Sequence, residues 1–105
     1  MLKVIVSPEA RQDQLDLADY LQSQSGDALV NRFLDSLADA FALLATMPGI
    51  GATRDFGMPN LRGLRMWRIA RFPYLVFYRV SGSELQVVRV LHGARDIETL
   101  FTTSE

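Results

Sequence analysis

The hydrophobic period of the sequence changes once, near the middle of the chain. Between Val30 and Leu44 the apolar residues recur at spacings of three and four, the period of one face of an α-helix. Between Leu64 and Leu91 the chain consists instead of short runs rich in β-branched, aromatic and aliphatic residues, which suits β-strands. The change predicts an α+β domain in which most strands come after the helices.

Two consecutive helices are predicted in the first half of the chain. Ser7 offers a capping side chain and Pro8 suits the first helical position, so the first helix is expected from Pro8 to about Gln24. Its apolar stripe is expected at Ala10, Leu17, Ala18 and Leu21, and its polar residues, largely on other faces, are Asp13, Gln14, Asp16 and Gln24.

The second helix is expected to pack against the first as an antiparallel hairpin. Gly26 interrupts the first pattern, Asp27 can cap the second helix, and Met47-Pro48-Gly49 ends it. The β-branched run from residue 2 to residue 6 predicts a first strand in the same sheet as the later ones. Residues 48–62, rich in glycine and proline, are expected to form a long loop.

Three strands are predicted over residues 64–71, 74–80 and 85–91, with Pro73 between the first two and a tight hairpin at 81–83. The register of that hairpin stays open. A two-residue loop pairs Arg79 with Gln86, and a three-residue loop pairs it with Leu85. Strict alternation along the last strand puts Leu85, Val87, Arg89 and Leu91 on one side and Val88, Val90 and His92 on the other. Because both sides are substantially apolar, both faces of the sheet are expected to be covered.

The 105 residues are expected to form one domain, residues 1–105, and the charge is unevenly distributed along it. Residues 1–50 carry three basic and seven acidic groups, whereas residues 51–105 carry eight arginines and five acidic groups. This excess predicts an acidic or anionic partner for the second half, or else arginines that only keep exposed strands soluble. No signal peptide or membrane-spanning run is apparent, so a cytoplasmic protein is expected.

Few kinds of chemistry are open to this composition. With one histidine and no cysteine, neither a metal site nor a cofactor is expected, and Gly49-Ile50-Gly51 lacks the third glycine of a dinucleotide loop. RNA cleavage by arginines and a histidine stays possible in principle, with the ingredients Arg65, Arg68, Arg79, Arg89, His92 and Arg95. The alternative is partner docking or solvation for the arginines and a structural hydrogen bond for His92. Tyr74, Phe77 and Tyr78 could stack on bases, but rings beside valines are typical of a core.

Several motifs in their order along the chain resemble the ParE branch of the ParE/RelE toxin superfamily. They are the helix start at residues 6–10 and the segments "LLATMPGIG", "LRGLRMWRI", "FPYLVFYRV" and "VVRVLHGARD", which together span residues 2 to about 97. The resemblance implies a bacterial type II toxin with a β-α-α-β-β-β fold, an antiparallel sheet packed on a helical hairpin, and a short C-terminal helix or tail. It also implies neutralisation by a ParD-like antitoxin in a hetero-oligomeric complex.

ParE-type toxins are understood to inhibit DNA gyrase by binding, so no catalytic residues are expected. The antitoxin-binding residues implied are Arg65, Arg68, Arg71, Tyr74, Arg79, Arg89 and Arg95. RelE-type relatives cut mRNA on the ribosome, which is the alternative, and its catalytic candidates here are Arg65, Arg79, Arg89 and His92. The chain has no tyrosine after Tyr78, which departs from the RelE pattern. A third possibility is a family member without toxicity that serves mainly as a partner of an antitoxin.

Overall fold

In the computed structural model, which describes residues 1–53 and 63–93, a five-stranded mixed sheet packs on a helical hairpin. The elements are β1 (Lys3–Val6), α1 (Pro8–Ser25), α2 (Asp27–Thr46), a 3-10 turn (Pro48–Ile50), β2 (Ala52–Thr53), β3 (Arg65–Arg68), β4 (Tyr74–Ser81) and β5 (Glu84–His92). The α+β class and the order of the main elements are therefore confirmed. The two-residue β2 was not predicted, and the expected C-terminal element lies outside the described residues.

The strand order is β1-β5-β4-β3-β2, and β1 runs parallel to β5 while the other neighbours are antiparallel. The expected antiparallel sheet is confirmed for β2 to β5, and β1 adds a parallel strand at its edge, so the sheet is mixed. A parallel pair needs a long connection between its strands, and here the two helices and β2 to β4 all lie between β1 and β5 in the chain. The first strand does belong to the same sheet as the later ones, as predicted.

Local signals define both helices. The Ser7 hydroxyl accepts from the backbone N–H of Ala10 at 3.0 Å and donates to the Val88 carbonyl at 2.8 Å, so the cap also ties the start of α1 to β5. The α2 cap was predicted at Asp27 but is Gly26, whose φ of 76° is easily adopted only by glycine. Asp27 is instead the first residue of the helix, and α2 has no side-chain cap.

The hairpin between β4 and β5 adopts one of the two registers left open by the sequence. Arg79 pairs with Gln86 and Ser81 with Glu84, which leaves a two-residue loop. Farther along β5, Val88 is an extra residue, because Tyr78 pairs with Val87 but Phe77 pairs with Arg89. This β-bulge makes the prediction of strict alternation wrong beyond Val87.

Both faces of the sheet bury apolar residues, as expected. The face toward the helices carries the larger cluster, formed by Ala10, Leu17 and Leu21 of α1, Phe33, Leu37 and Leu44 of α2, and Val76, Tyr78, Leu85, Val87 and Val90 of the sheet. The other face carries Leu64, Phe77 and Leu91, with Met66, Leu75 and Val88 packed against them. Because of the bulge, Val90 rather than Leu91 shares the helix-packed face with Leu85 and Val87. Within the described residues, neither helix has the length and hydropathy needed to cross a membrane.

Candidate functional site

The basic residues predicted from the sequence are divided between the two faces of the sheet. Residues directly opposite each other on neighbouring strands point to the same face. Arg65 lies opposite Tyr78 and therefore on the face toward the helices, whereas Arg79 lies opposite Gln86 on the other face. Two of the residues named for a nuclease site are therefore on different sides of the sheet.

His92 shares the helix-packed face with Arg65 but lies at the other end of it. It is opposite Tyr74, and its ring meets the Tyr74 ring edge-on with centroids 6.0 Å apart. Because Tyr74 and Tyr78 are four residues apart on β4, Arg65 and His92 are separated by about 13 Å along the strand direction. The structure does not bring the expected nuclease residues Arg65, Arg79 and His92 together.

Arg89, the remaining candidate, forms a two-pronged ion pair with Asp13 of α1. Its Nε donates to Oδ2 and its Nη2 to Oδ1, each at 2.8 Å, and the two side chains are only 13% and 10% exposed. The Asp13 Oδ2 atom also accepts from the backbone N–H of Val90 at 3.0 Å. One carboxylate therefore holds a guanidinium and a backbone amide of the same strand.

The fold explains why a carboxylate is needed at this place. β1 pairs with β5 only as far as Val87, so among the described residues no strand lies beside the N–H of Val90 on that side. Asp13 supplies the acceptor that a longer β1 would have supplied. Asp13 was expected largely off the buried face, but it lies three residues after Ala10 and four before Leu17, on the buried stripe. That spacing is the signal that could have found it.

A second polar cluster joins the sheet to the segment after α2. The Tyr78 hydroxyl donates to the Pro48 carbonyl at 2.6 Å and accepts from the Gly51 N–H at 3.0 Å. Arg65 Nη1 donates to the Gly51 carbonyl at 2.8 Å and to the Gly49 carbonyl at 3.3 Å. These bonds fix the 3-10 turn against β3 and β4, and they give Arg65 a structural role inside the chain.

Burial raises the pKa of the Tyr78 hydroxyl above its usual value, although the Gly51 hydrogen bond and the nearby Arg65 charge oppose the change. Gly51 is required here by space rather than by its backbone angles. A Cβ at this position would overlap the Tyr78 hydroxyl and lie 2.7 Å from two carbons of its ring.

The β3–β4 turn holds Arg71 in an unfavourable backbone conformation. The Phe72 N–H bonds the Ile69 carbonyl at 3.3 Å, and Arg71 has a φ of 70°, the only positive φ of a non-glycine residue in the described chain. This is the third position of a type II turn, where glycine or asparagine is usual. A side chain with a Cβ costs about 1–2 kcal/mol in that region. The Arg68 Nε donates to the Phe72 carbonyl at 3.2 Å across the same turn.

An open groove of about 680 Å³, here called the α2 groove, lies between α2 and the β3–β4 turn. Its apolar lining consists of Leu29, Ala40, Leu43, Trp67, Ala70 and Phe72. Its polar lining consists of Arg32, Asp35, Ser36, Asp39, Arg68 and Arg71. Two of the predicted antitoxin-binding residues, Arg68 and Arg71, therefore line one continuous surface.

The α2 groove is lined by charged residues of both signs. Arg68 and Arg71 lie on the turn, while Asp35 and Asp39 lie on the helix together with Arg32. Within residues 1–53 and 63–93, the side chains of Arg32, Arg71, Asp35 and Asp39 make no hydrogen bond or ion pair with the rest of the chain. The turn thus offers two cations to a ligand, and the helix offers two anions and the cation of Arg32, around an apolar surface.

The remaining predicted residues contribute less surface. Tyr74 is 3% exposed and packs on Phe33 and Phe72, so a partner could reach it only through the residues that cover it. Phe77 and Tyr78 are fully buried as well, which confirms the core interpretation of the three rings over base stacking. Arg95 lies outside the described residues. In the described part of the chain, no group of three His, Cys, Asp or Glu side chains is placed to hold a metal ion.

Comparison with known proteins gives one family match and a similar solved structure. The model of a family described as ParE toxin of type II toxin-antitoxin system, parDE, matches residues 4–97. A chain from the solved structure of the chromosomal ParDE TA system from P. aeruginosa is similar with a TM-score of 0.72 and 22% identity, over 88% of this chain and 96% of that chain. At that identity the likeness concerns the fold. No curated protein sequence matches the chain significantly.

Proposed function

Because the chain belongs to the ParE toxin family of type II toxin–antitoxin systems, we propose that it inhibits bacterial DNA gyrase by binding and is neutralised by a ParD-like antitoxin. The family match over residues 4–97 is the observation that carries this proposal. The proposal places the protein in the bacterial cytoplasm, where gyrase acts. The free toxin is the active form, and the hetero-oligomeric complex with the antitoxin is inactive.

The placement of the basic residues favours binding over RNA cleavage. A nuclease needs its proton carriers and its cations within hydrogen-bond reach of one phosphate. Here Arg65 and His92 lie about 13 Å apart along the sheet, and Arg79 lies on the other face. Arg89 already has a carboxylate partner in Asp13. These side chains support the fold where they lie, which suits a toxin that acts through its surface.

The α2 groove is the surface that best fits an antitoxin segment. An apolar surface flanked by charges of both signs suits an amphipathic chain that becomes ordered on binding. Arginine and tryptophan are also enriched among the residues that dominate binding energy, and Arg68 and Trp67 both line the groove. Arg65 and Arg89 are placed elsewhere, and they would affect an antitoxin mainly through the stability of the toxin.

The test is a supercoiling assay with purified gyrase. The chain alone is expected to block supercoiling or to trap cleaved DNA, and the chain mixed with the product of an adjacent antitoxin reading frame is expected to do neither. If the same preparation leaves gyrase untouched but cuts mRNA in a translation extract, the nuclease alternative replaces the proposal. If induction of the chain without its antitoxin changes neither gyrase supercoiling, nor mRNA integrity, nor growth, the proposal of a toxin is wrong.

A further inference from the structure

Arg71 combines two features that do not occur together by accident of folding. Its backbone occupies a conformation that glycine would occupy without steric cost, and its exposed side chain lines the α2 groove. Residues kept in such conformations persist only when the surroundings or a function require them, and they concentrate at ligand-binding sites. The turn itself would be formed at least as well by glycine.

No intramolecular contact within the described residues explains the arginine at this position. Its neighbour Arg68 braces the turn through the Phe72 carbonyl, whereas the Arg71 guanidinium has no hydrogen-bond or ion-pair partner in the described chain. Simple solubility does not require this residue either, because a lysine or arginine at a relaxed position would serve. What the position does provide is a cation that projects from a tight turn beside an apolar floor.

We propose that Arg71 is a specificity residue of the α2 groove and receives a carboxylate of a bound peptide segment. A guanidinium can bind a carboxylate through two parallel hydrogen bonds, which fixes the register of the segment. The apolar side chains of the segment lie over Trp67 and Leu43, and its acidic side chain lies at the turn. This deepens the proposed function, since the segment is taken to come from the antitoxin.

The opposite wall of the groove decides between a peptide and a nucleic acid. Asp35 and Asp39 of α2 would repel a phosphate backbone laid along that wall, where Arg32 is a single cation that pairs with neither acid in the described part of the chain. A peptide avoids that repulsion, since it can carry an acid on one edge and a base or neutral residue on the other. The two arginines of the turn and the two acids of the helix therefore fit an amphipathic peptide with its acidic edge toward Arg71.

Three substitutions at one position separate recognition from stability. Arg71→Gly removes the charge and the steric strain, Arg71→Ala removes the charge but keeps a Cβ in the same conformation, and Arg71→Lys keeps a charge without the two-pronged geometry. The melting temperature of Arg71→Gly is expected to rise by about 2–6 °C, and that of Arg71→Ala to stay close to the wild-type value. Arg11→Ala, at an exposed position of α1 away from the groove, is the control for net charge.

Binding is measured with a probe selected on the protein itself. A displayed library of random 12-residue peptides is selected on the full wild-type chain, and the enriched peptides are then made with and without their acidic residue. The acidic form is expected to bind the wild type about tenfold more tightly than the amide form, as a charge-assisted contact allows. With Arg71→Gly and Arg71→Ala that preference is expected to vanish, with Arg71→Lys to weaken, and with Arg11→Ala to remain.

Several results would overturn the inference. They are an unchanged preference for the acid in Arg71→Gly, a loss of melting temperature in that variant, a selection without enriched acidic peptides, or competition by a 12-nucleotide RNA that needs Arg71. The supercoiling assay is independent of this measurement. If the chain does not inhibit gyrase but prefers the acidic peptide through Arg71, only the proposed function is contradicted. If the chain inhibits gyrase but shows no such preference, only the role of Arg71 is contradicted.

Discussion

Replacement of Asp13 by alanine should destabilise the protein more than removal of any exposed acid. The substitution deletes three hydrogen bonds to one carboxylate, two from Arg89 and one from the Val90 N–H. It leaves a guanidinium whose side chain is 13% exposed, together with a backbone amide that has lost its acceptor. Both groups are too buried to recover full hydration.

The size of the effect can be worked out from these contacts. Hydrogen bonds to a charged group contribute about 1.5–3 kcal/mol each, but bonds within one network are not additive, and water can reach part of Arg89. Removal of one partner of a buried ion pair costs about 3–5 kcal/mol, so we expect a loss of about 3–4 kcal/mol from the free energy of unfolding. That is a large share of the total of about 5–15 kcal/mol typical of a domain.

Urea unfolding at neutral pH measures the change, with Asp19→Ala as the matched control because Asp19 is an exposed acid on the same helix. The control is expected to change the free energy of unfolding by less than about 0.5 kcal/mol. The double variant with Arg89→Met also lacks the guanidinium that Asp13→Ala deprives of its carboxylate, so the loss of stability should be about 1–3 kcal/mol smaller than the sum of the two single losses. Additive losses, or a cost for Asp13→Ala within the range of the control, would refute the reasoning.

Two further predictions concern the polar cluster after α2. Tyr78→Phe strands the Pro48 carbonyl and the Gly51 N–H and should cost about 1–3 kcal/mol in urea unfolding at pH 7. In the wild type the pKa of Tyr78 is raised above 10.0, so the folded protein keeps this proton at a pH where the unfolded chain loses it. The stability contributed by Tyr78 is therefore complete below pH 10 and falls as the pH rises further. The melting temperatures of wild type and variant should converge in alkaline solution, and parallel curves would contradict this prediction. Gly51→Ala forces a Cβ onto the Tyr78 ring and should lower the free energy of unfolding by about 1–3 kcal/mol. Gly49→Ala is the control and should be nearly neutral, because no atom lies within 4 Å of its Cβ. Equal effects of the two variants in thermal unfolding would contradict this prediction.

Local rules were sufficient for the elements that depend on neighbours in sequence. Ser7 and Pro8 mark the start of α1, and the spacing of apolar residues after Val30 predicts α2, because capping and periodicity are properties of a few consecutive residues. The hairpin loop at Gly82 was also predictable, although its register was not. The two possible registers differ by a single residue, and only packing on both faces of the sheet decides between them.

The features that the sequence did not reveal depend on partners distant along the chain. The bulge at Val88 puts Val90, rather than Leu91, on the same face as Val87, and no residue near Val88 indicates it in the sequence. The role of Asp13 depends on β1 ending before β5 does. Its partner Arg89 lies 76 residues farther along the chain. The α2 groove likewise needs a helix and a turn that meet only in the folded protein.

Among the described residues, the arginines of the second half therefore have two separate roles. Arg65 donates to a backbone carbonyl and Arg89 to a carboxylate, both at places where regular strand pairing ends, so these two arginines stabilise the fold. Arg71 serves no such group among the described residues and is held at a steric cost. A charge count along the sequence adds these residues together and overestimates the surface open to a partner. Substitutions of Arg65 or Arg89 will weaken binding by unfolding the toxin, whereas a stabilised Arg71→Gly protein that loses its acidic ligand can be explained only by recognition.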